Sequence, residues 1–193
     1  MAITGPTTEI EIVSLAFVLN GKEPVTSYDE AGQAGRAAKA LYDATASTIL
    51  SYPHFRFNVT TTYLQLMANF HPTFDNWQYA YQLPADFLSL VRLWPNIPFQ
   101  IYGDQIWAAS DSPLQMEYRM QVPVSKWSPA MRLYAAFEIA VGLGLSIAES
   151  EGLYRDLKVE LVEKRAMALF VDSQNHPQRN ARNSTWIGVR GRG

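Results

Sequence analysis

The chain contains no cysteine. That excludes disulfides, thiolate zinc sites and cysteine nucleophiles together, and it fits a reducing compartment. Histidine is nearly as scarce: His54, His71 and His176 are the only three in 193 residues. None stands in an HExxH or any other ligand-spaced cluster, so neither a catalytic metal nor another cofactor is expected. Long hydrophobic runs are also missing. The longest candidate, 133–148, is interrupted by Glu138 and falls short of the roughly 18 residues a bilayer span needs. The opening stretch MAITGPTTEIEIVSLAF has acids where a secretory signal would carry basic residues. A soluble protein made in the cytoplasm, with no membrane partner, is therefore expected. The sequons Asn58-Val59-Thr60 and Asn183-Ser184-Thr185 then read as chance matches.

A further absence is local. From Gln174 to Gly193 there is no acidic residue, while Arg179, Arg182, Arg190 and Arg192 all fall there. Residues 1–173 hold all 18 acids against 12 Lys and Arg, so the body carries −6 and the tail +4. The tail is rich in Gly, Asn and Arg and has no helical or strand period. Its one large apolar anchor is Trp186–Ile187. Such a segment cannot bury enough apolar area to offset its own ordering entropy, so it is expected to order on a partner. Arg190-Gly191-Arg192-Gly193 resembles one unit of a nucleic-acid-binding RGG segment. An Arg- and Trp-bearing arm equally suits an aromatic-lined protein groove. A frayed end rarely carries an apolar pair such as Trp186–Ile187.

Four helices are legible, in two pairs. Thr8 and Glu11 form a capping box, followed by Ile12, Ala16 and Leu19 and a stop at Asn20-Gly21. Ser27 and Glu30 form a second box, opening a helix over 28–51 that Pro53 ends. Its stripe of Ala34, Ala37, Ala38, Leu41, Ala44, Ala46 and Thr48 is mostly small and, with Gly32 and Gly35, predicts a close helical neighbour. Ser128-Pro129 starts a third helix running to about Glu149. It is apolar on nearly every side, from Met131 to Ile147, and so must be buried, in the core or between subunits. Gly152 marks a break. A fourth helix over 153–172 places Leu153, Leu157, Leu161 and Ala168 inside and the pairs Glu151–Arg155 and Glu160–Lys164 outside.

Between the pairs, residues 54–127 hold 15 of the 24 aromatics. Strands are predicted at His54–Thr61, Tyr79–Leu83, Phe87–Trp94, Phe99–Ala108 and Leu114–Val122. Tyr102-Gly103-Asp104-Gln105 reads as a two-residue hairpin turn, and Leu114, Met116, Tyr118 and Met120 form the inward side of a half-buried strand. The fold expected is α+β, mainly α. Two helix pairs (1–53 and 128–173) form an antiparallel bundle, with an antiparallel β insertion at 54–127 and an extended C-terminal arm at 174–193.

Catalytic motifs are weak. Gly144-Leu145-Ser146-Ile147-Ala148 imitates a nucleophile elbow but lies inside an apolar helix rather than a strand–turn–helix. Gly142-Leu143-Gly144 has no preceding strand and no third glycine. Asp75, Asp86, Asp104, Asp111 and Glu117 lie in the aromatic-rich insertion, a composition shared with sugar-binding sites. A pair of them about 5–10 Å apart would serve a tail-associated glycan hydrolase. The simpler reading makes them turn and strand-face residues.

The order of these elements resembles the head-to-tail adaptor of short-tailed bacteriophages, the tail tubular protein A or gatekeeper family. Leu19-Asn20-Gly21-Lys22-Glu23-Pro24-Val25 and Ser27, before an Ala-rich helix, are similar to that family's first helix, turn and second helix. Trp77-Gln78-Tyr79-Ala80-Tyr81-Gln82-Leu83-Pro84-Ala85-Asp86-Phe87, leading into Leu90-Val91-Arg92, resembles its aromatic–Leu-Pro-x-Asp segment. The Tyr102–Ile106 hairpin and Trp127-Ser128-Pro129 follow in the expected places. The likeness covers nearly the whole chain, with Ala68–Asn76 departing from the pattern. It implies a structural, non-enzymatic virion protein at the head–tail interface. Such a protein forms a ring, typically a dodecamer, docks under the portal protein, extends the DNA channel for ejection and offers the tail nozzle protein its attachment site. Portal contact then falls to the arm, through Arg179, Arg182, Trp186, Ile187, Arg190 and Arg192, and the preferred partner of the tail becomes protein rather than nucleic acid. The net-negative body suits passage of genomic double-stranded DNA without specific binding, since phosphate contact needs Lys and Arg. The nozzle-binding residues are not assigned.

Overall fold

The computed structural model describes residues 5–30, 32–68, 77–147 and 151–175, with the side chains of 145–147 left aside. The chain is α+β, with four helices and two antiparallel sheets among the described residues. Helix α1, Glu9–Leu19, begins as expected: Glu11 N–H donates to Thr8 Oγ1 at 3.4 Å, and Glu11 Oε2 accepts from Thr8 N–H at 3.1 Å. It ends at Asn20, and Gly21 follows with φ 72°, a left-handed conformation that glycine adopts without strain.

Helix α2, Gly32–Ser51, starts later than predicted. The second box forms, with Glu30 N–H on Ser27 Oγ at 3.3 Å and Thr26 N–H on Glu30 Oε2 at 2.8 Å. It closes only a turn, because Gly32 sits at φ 57° and redirects the chain before the helix runs. The small-residue stripe is also rotated from the prediction. Gly35, Ala38, Tyr42, Thr45, Ile49 and Leu50 are buried, whereas Ala37, Ala44 and Thr48 face solvent.

Helix α3, Pro129–Ile147, is capped by Ser128, whose Oγ accepts Met131 N–H at 3.2 Å. The elbow-like Gly144–Ser146 stretch lies within it. Met131, Ala136, Ile139, Ala140 and Leu143 are all 1% exposed or less, and α1, α2 and α4 pack against it. Of the two settings left open for this helix, the core is therefore the one observed. Helix α4, Glu151–Asn175, is longer than predicted at both ends. Gly152 does not break it but sits in its first turn, where backbone N–H groups have no intrahelical partner to lose. At the other end the helix takes in Gln174 and Asn175, two residues read beforehand as arm. Leu157 and Ala168 are buried, Leu153 and Leu161 half-buried, and Glu151–Arg155 pair at 3.7 Å.

The insertion forms two sheets. One has the order β1-β7-β4, from Val59–Tyr63, Gln115–Met120 and Phe87–Trp94. The other has the order β2-β3-β6-β5, from Gln65–Leu66, Tyr79–Gln82, Gln105–Ala108 and Phe99–Tyr102. The β5–β6 hairpin turns on Gly103, at φ 57°, and Asp104, as the spacing predicts. Met116, Tyr118 and Leu93 of the first sheet share a core with Tyr81, Ile106 and Ala108 of the second.

The first predicted strand is wrong in part. Residues 52–58 are not strand; pairing begins at Val59 and continues to Tyr63. They form a strap that ties helices to sheets. Tyr52, Phe55 and Phe57 run in ring contact, and Phe55 and Phe57 reach Tyr134 and Trp127 at 6.2 and 6.1 Å. At the end of the strap Asn58, 1% exposed, donates through Nδ2 to the carbonyls of Leu50 at 2.7 Å and Met120 at 3.2 Å. An asparagine so placed is inaccessible for glycosylation in the folded chain. Arg56 N–H donates to Asp172 of α4 at 2.7 Å, and Arg119 Nη2 to the Pro53 carbonyl at 2.7 Å.

Two outcomes follow. Asn58→Ala strands two buried carbonyls and is expected to lower unfolding stability by about 2–3 kcal/mol in urea titrations. The Glu11 carboxyl is held below its ordinary value of 4.5 by bonds from the Thr7 and Thr8 backbone N–H groups. A depressed carboxyl contributes stability above its unfolded pKa, and that contribution is lost as pH falls through its folded value. Melts of the native chain and Glu11→Gln are expected to differ at neutral pH and to converge as pH falls below the lowered value of the folded carboxyl.

Candidate functional site

The six arm residues Arg179, Arg182, Trp186, Ile187, Arg190 and Arg192 lie outside the described residues, as do Asp75, His71 and His176. The remaining insertion carboxylates are placed, and three of the four make contacts within the fold. Asp86 accepts the Tyr118 hydroxyl at 3.0 Å, and burial followed by that bond raises the Tyr118 phenol. Asp104 takes Gln82 Nε2 at 2.9 Å beside the hairpin turn. Glu117 pairs with Arg56 at 3.1 Å. Asp111 is exposed. Glu117 and Tyr118 are consecutive on β7 and so point to opposite faces, which sends Glu117 and the partner of Tyr118, Asp86, to different sides of the sheet. His54 lies against Tyr52, with ring centroids 5.2 Å apart. Among the described residues no group of three or more His, Asp or Glu is placed to hold a metal ion, and no helix is long and apolar enough to cross a membrane.

An open groove of about 710 Å³ runs where the start of α1 meets α2 and the sheets. Glu9, Tyr42, Asp43, Leu88, Gln121 and Trp127 are among its lining residues. Lys39 stands between its two carboxylates, 3.7 Å from Glu9 and hydrogen-bonded to Asp43, which raises the ammonium from its ordinary value. Glu9 also accepts the Tyr28 hydroxyl at 2.9 Å, and burial pushes the Tyr42 phenol up to about 12. The two carboxylates thus share one cation. No motif in the sequence marks this groove.

What the structure adds is exposed apolar surface, with its most exposed side chains in two places. On α4, Val159, Val162, Met167 and Phe170 are 66, 69, 54 and 61% exposed. The helix period places Val159, Val162 and Phe170 together on the side opposite Leu157, Leu161 and Ala168. On the β1-β7-β4 sheet, Tyr63 and Trp94 both lie opposite Gln115, so the three share one face and one rank. Tyr63 is 69% and Trp94 64% exposed, and two strand spacings set their backbones about 9.5 Å apart. The next rank on that face is Thr61, Glu117 and Arg92. Large apolar groups left outside together are uncommon on a folded chain's surface and are candidates for contact surfaces. Sequence reasoning missed both. The α4 stripe was legible as a second apolar period, at 159, 162, 166 and 170, on a helix already assigned its inner face. The sheet rank depends on register, which sequence alone does not supply.

Comparison with protein-family models and with curated proteins finds no match to this chain. The exposed aromatic rank is expected to carry no folding load. Trp94→Ala should change unfolding stability by no more than about 0.5 kcal/mol, whereas Met116→Ala, one residue from Gln115 but facing the core, should cost about 2–5 kcal/mol. Denaturant titration of the two variants checks this.

Proposed function

We propose that this protein is a non-enzymatic, ring-forming head-to-tail adaptor of a short-tailed bacteriophage. It docks under the portal, lengthens the DNA channel and gives the tail nozzle its attachment site. In this reading the two helix pairs form an antiparallel bundle that builds the ring, typically of twelve copies. The β insertion faces the nozzle, and the arm at 176–193 reaches the portal through Arg179, Arg182, Trp186, Ile187, Arg190 and Arg192. Genomic double-stranded DNA passes the net-negative body without specific binding.

One observation carries the reading: the chain closes its own core yet leaves apolar surface exposed on two separate units, α4 of the helical part and the Tyr63–Gln115–Trp94 rank of the sheets. A protein that joins copies of itself and also a different partner needs two such surfaces. An enzyme needs a concave site with convergent polar groups, and the described insertion carboxylates are spent on hydrogen bonds and an ion pair or left exposed. The aromatic rank then supplies a nozzle contact that the sequence left unassigned.

The test is assembly. Cryo-EM of the purified protein mixed with portal is expected to show a ring seated on it. Removing residues 176–193 should abolish portal binding while leaving the melting temperature of the body unchanged. Portal docking that survives the truncation sinks the arm assignment, and particles with no ring sink the adaptor reading.

A further inference from the structure

Two glycines on α3 fix where its neighbours lie. A Cβ on Gly142 would meet Leu41 Cδ2 of α2 at 3.1 Å, and one on Gly144 would meet Tyr154 Cδ2 of α4 at 3.0 Å. Residues two apart on a helix are turned by about 200°. Helices α2 and α4 therefore cover opposite sides of α3, and their outward faces look in opposite directions, one at each flank of the helical layer.

Those outward faces differ in kind. The outer face of α4 is bulky and apolar, with Val159, Val162, Met167 and Phe170 more than half exposed. Beyond Gln33 in the first turn, the outer face of α2 carries only short side chains, with Ala37, Ala40, Ala44, Ser47, Thr48 and Ser51 exposed along it. Large side chains projecting from one helix need a partner whose own side chains are short enough to let the axes approach. The flanking charges are also complementary. Asp43 is taken by Lys39 on α2, which leaves Arg36 beside the small-residue face. On α4, Glu151–Arg155 and Glu160–Lys164 are paired, and Lys158 and Arg165 lie over the Tyr154 and Tyr52 rings, which leaves Asp156 and Glu163 beside the apolar stripe. Neither Arg36 nor these two acids carries an ion pair among the described residues.

We infer that the occupant of the α4 outer face is the α2 outer face of a second copy of this chain. The contact is heterologous: the two surfaces are different and lie on opposite flanks, so each copy offers one and receives the other. Contacts of that type propagate from copy to copy and close into a ring when the rotation per copy allows it. The inference rests on the ring reading proposed above and assigns the surfaces that make the ring. An isologous dimer would instead bring α4 against α4, and there the bulky residues would meet one another while the small-residue face of α2 stayed wet.

The absence of cysteine makes the test clean, because any introduced pair reports on itself alone. Cysteines replace Ala37, Ala40 or Ala44 on α2 in combination with Val159, Val162 or Ala166 on α4, and the concentrated protein is oxidised and run without reductant. At least one α2–α4 pair is expected to give a ladder of covalent multimers beyond the dimer, while single-cysteine variants stay largely monomeric. Adding Phe170→Asp to that pair should reduce the ladder at least tenfold and leave the melting temperature unchanged. Dimers alone from single cysteines on α4 would identify a two-fold contact and overturn the proposal, as would no ladder from any pair. Portal binding measured on the same cysteine-free chain separates the two readings. A ladder without portal binding keeps this interface and removes the adaptor function; portal binding without a ladder does the reverse.

Discussion

The fold turns on helix α3, which has no polar face. Its two charged residues do not give it one. Arg132 is half-buried and folds back to the carbonyls of Trp127 and Pro6, and Glu138 lies beside Tyr134, whose phenol is raised to about 12 by burial and then by that acid. A helix of this kind is stable only when covered on all sides, and one chain does it here with three others. Helix α1 packs on one side and sends Asn20 Nδ2 to the Ala140 carbonyl at 3.0 Å. Helices α2 and α4 close the remaining flanks, brought near by the missing side chains at Gly142 and Gly144. The burial of α3 accounts for the arrangement of the helical unit, and that arrangement in turn decides which faces of α2 and α4 remain outside.

The second constraint is the seam. Helices and sheets meet through the strap at 52–58, and the hydrogen bonds of its polar groups run across units, while Asn58 Oδ1 and Arg119 Nε are buried without a protein partner. Asn58 joins the end of α2 to the end of β7, Arg56 N–H reaches α4, and Arg119 on β7 returns to the Pro53 carbonyl. Burial lowers the Arg119 guanidinium from its ordinary value, and the neighbouring Arg56 adds to that, opposed by Glu117. Buried polar groups contribute little net energy when paired and cost much when orphaned. Such a seam therefore specifies one relative placement of helices and sheets more than it adds stability. In the adaptor reading, where a part must meet neighbours at fixed angles, that specificity is the useful quantity.

What sequence could reveal follows from the range of each interaction. Caps are local, so the Thr8–Glu11 box, the Ser128 cap and the Gly103 turn were legible, and α3 was recognisable from its apolar character on nearly every side. The start of α2 was misplaced because a positive φ at Gly32 follows a capping box that looks complete by itself. Phe55 and Phe57 alternate like a strand, yet they are strap residues, since the ring contacts that hold them come from Tyr134 and Trp127, 70 or more residues away. The small stripe of α2 was read as the inner face because Ala is equally at home inside and outside. Only the rotation of the helix about α3 shows that Ala37 and Ala44 are outside. The sheet rank is the least legible feature of all, because Tyr63, Gln115 and Trp94 meet only through pairing register across three strands.

Helix α4 commits one face to folding and leaves the opposite face outside. The inner face of α4 is committed to α3 through Leu157 and Ala168, and Asp172, the last acid of the chain, is committed to the strap through the Arg56 N–H. Beyond it the sequence offers only positive charge. In the adaptor reading this matters for selectivity, because the nearest acids available to the four arm arginines belong to the body of the same chain, with its net of −6. Exposed, diffuse charge of that kind attracts weakly and is screened over about 8–10 Å at ordinary ionic strength. It cannot satisfy Trp186 and Ile187, which need an apolar pocket. A partner that supplies such a pocket with acids at its rim outcompetes the body on both counts. The apolar pair, rather than the arginines around it, then decides where the arm settles, while the arginines govern how fast it arrives and how strongly salt opposes it.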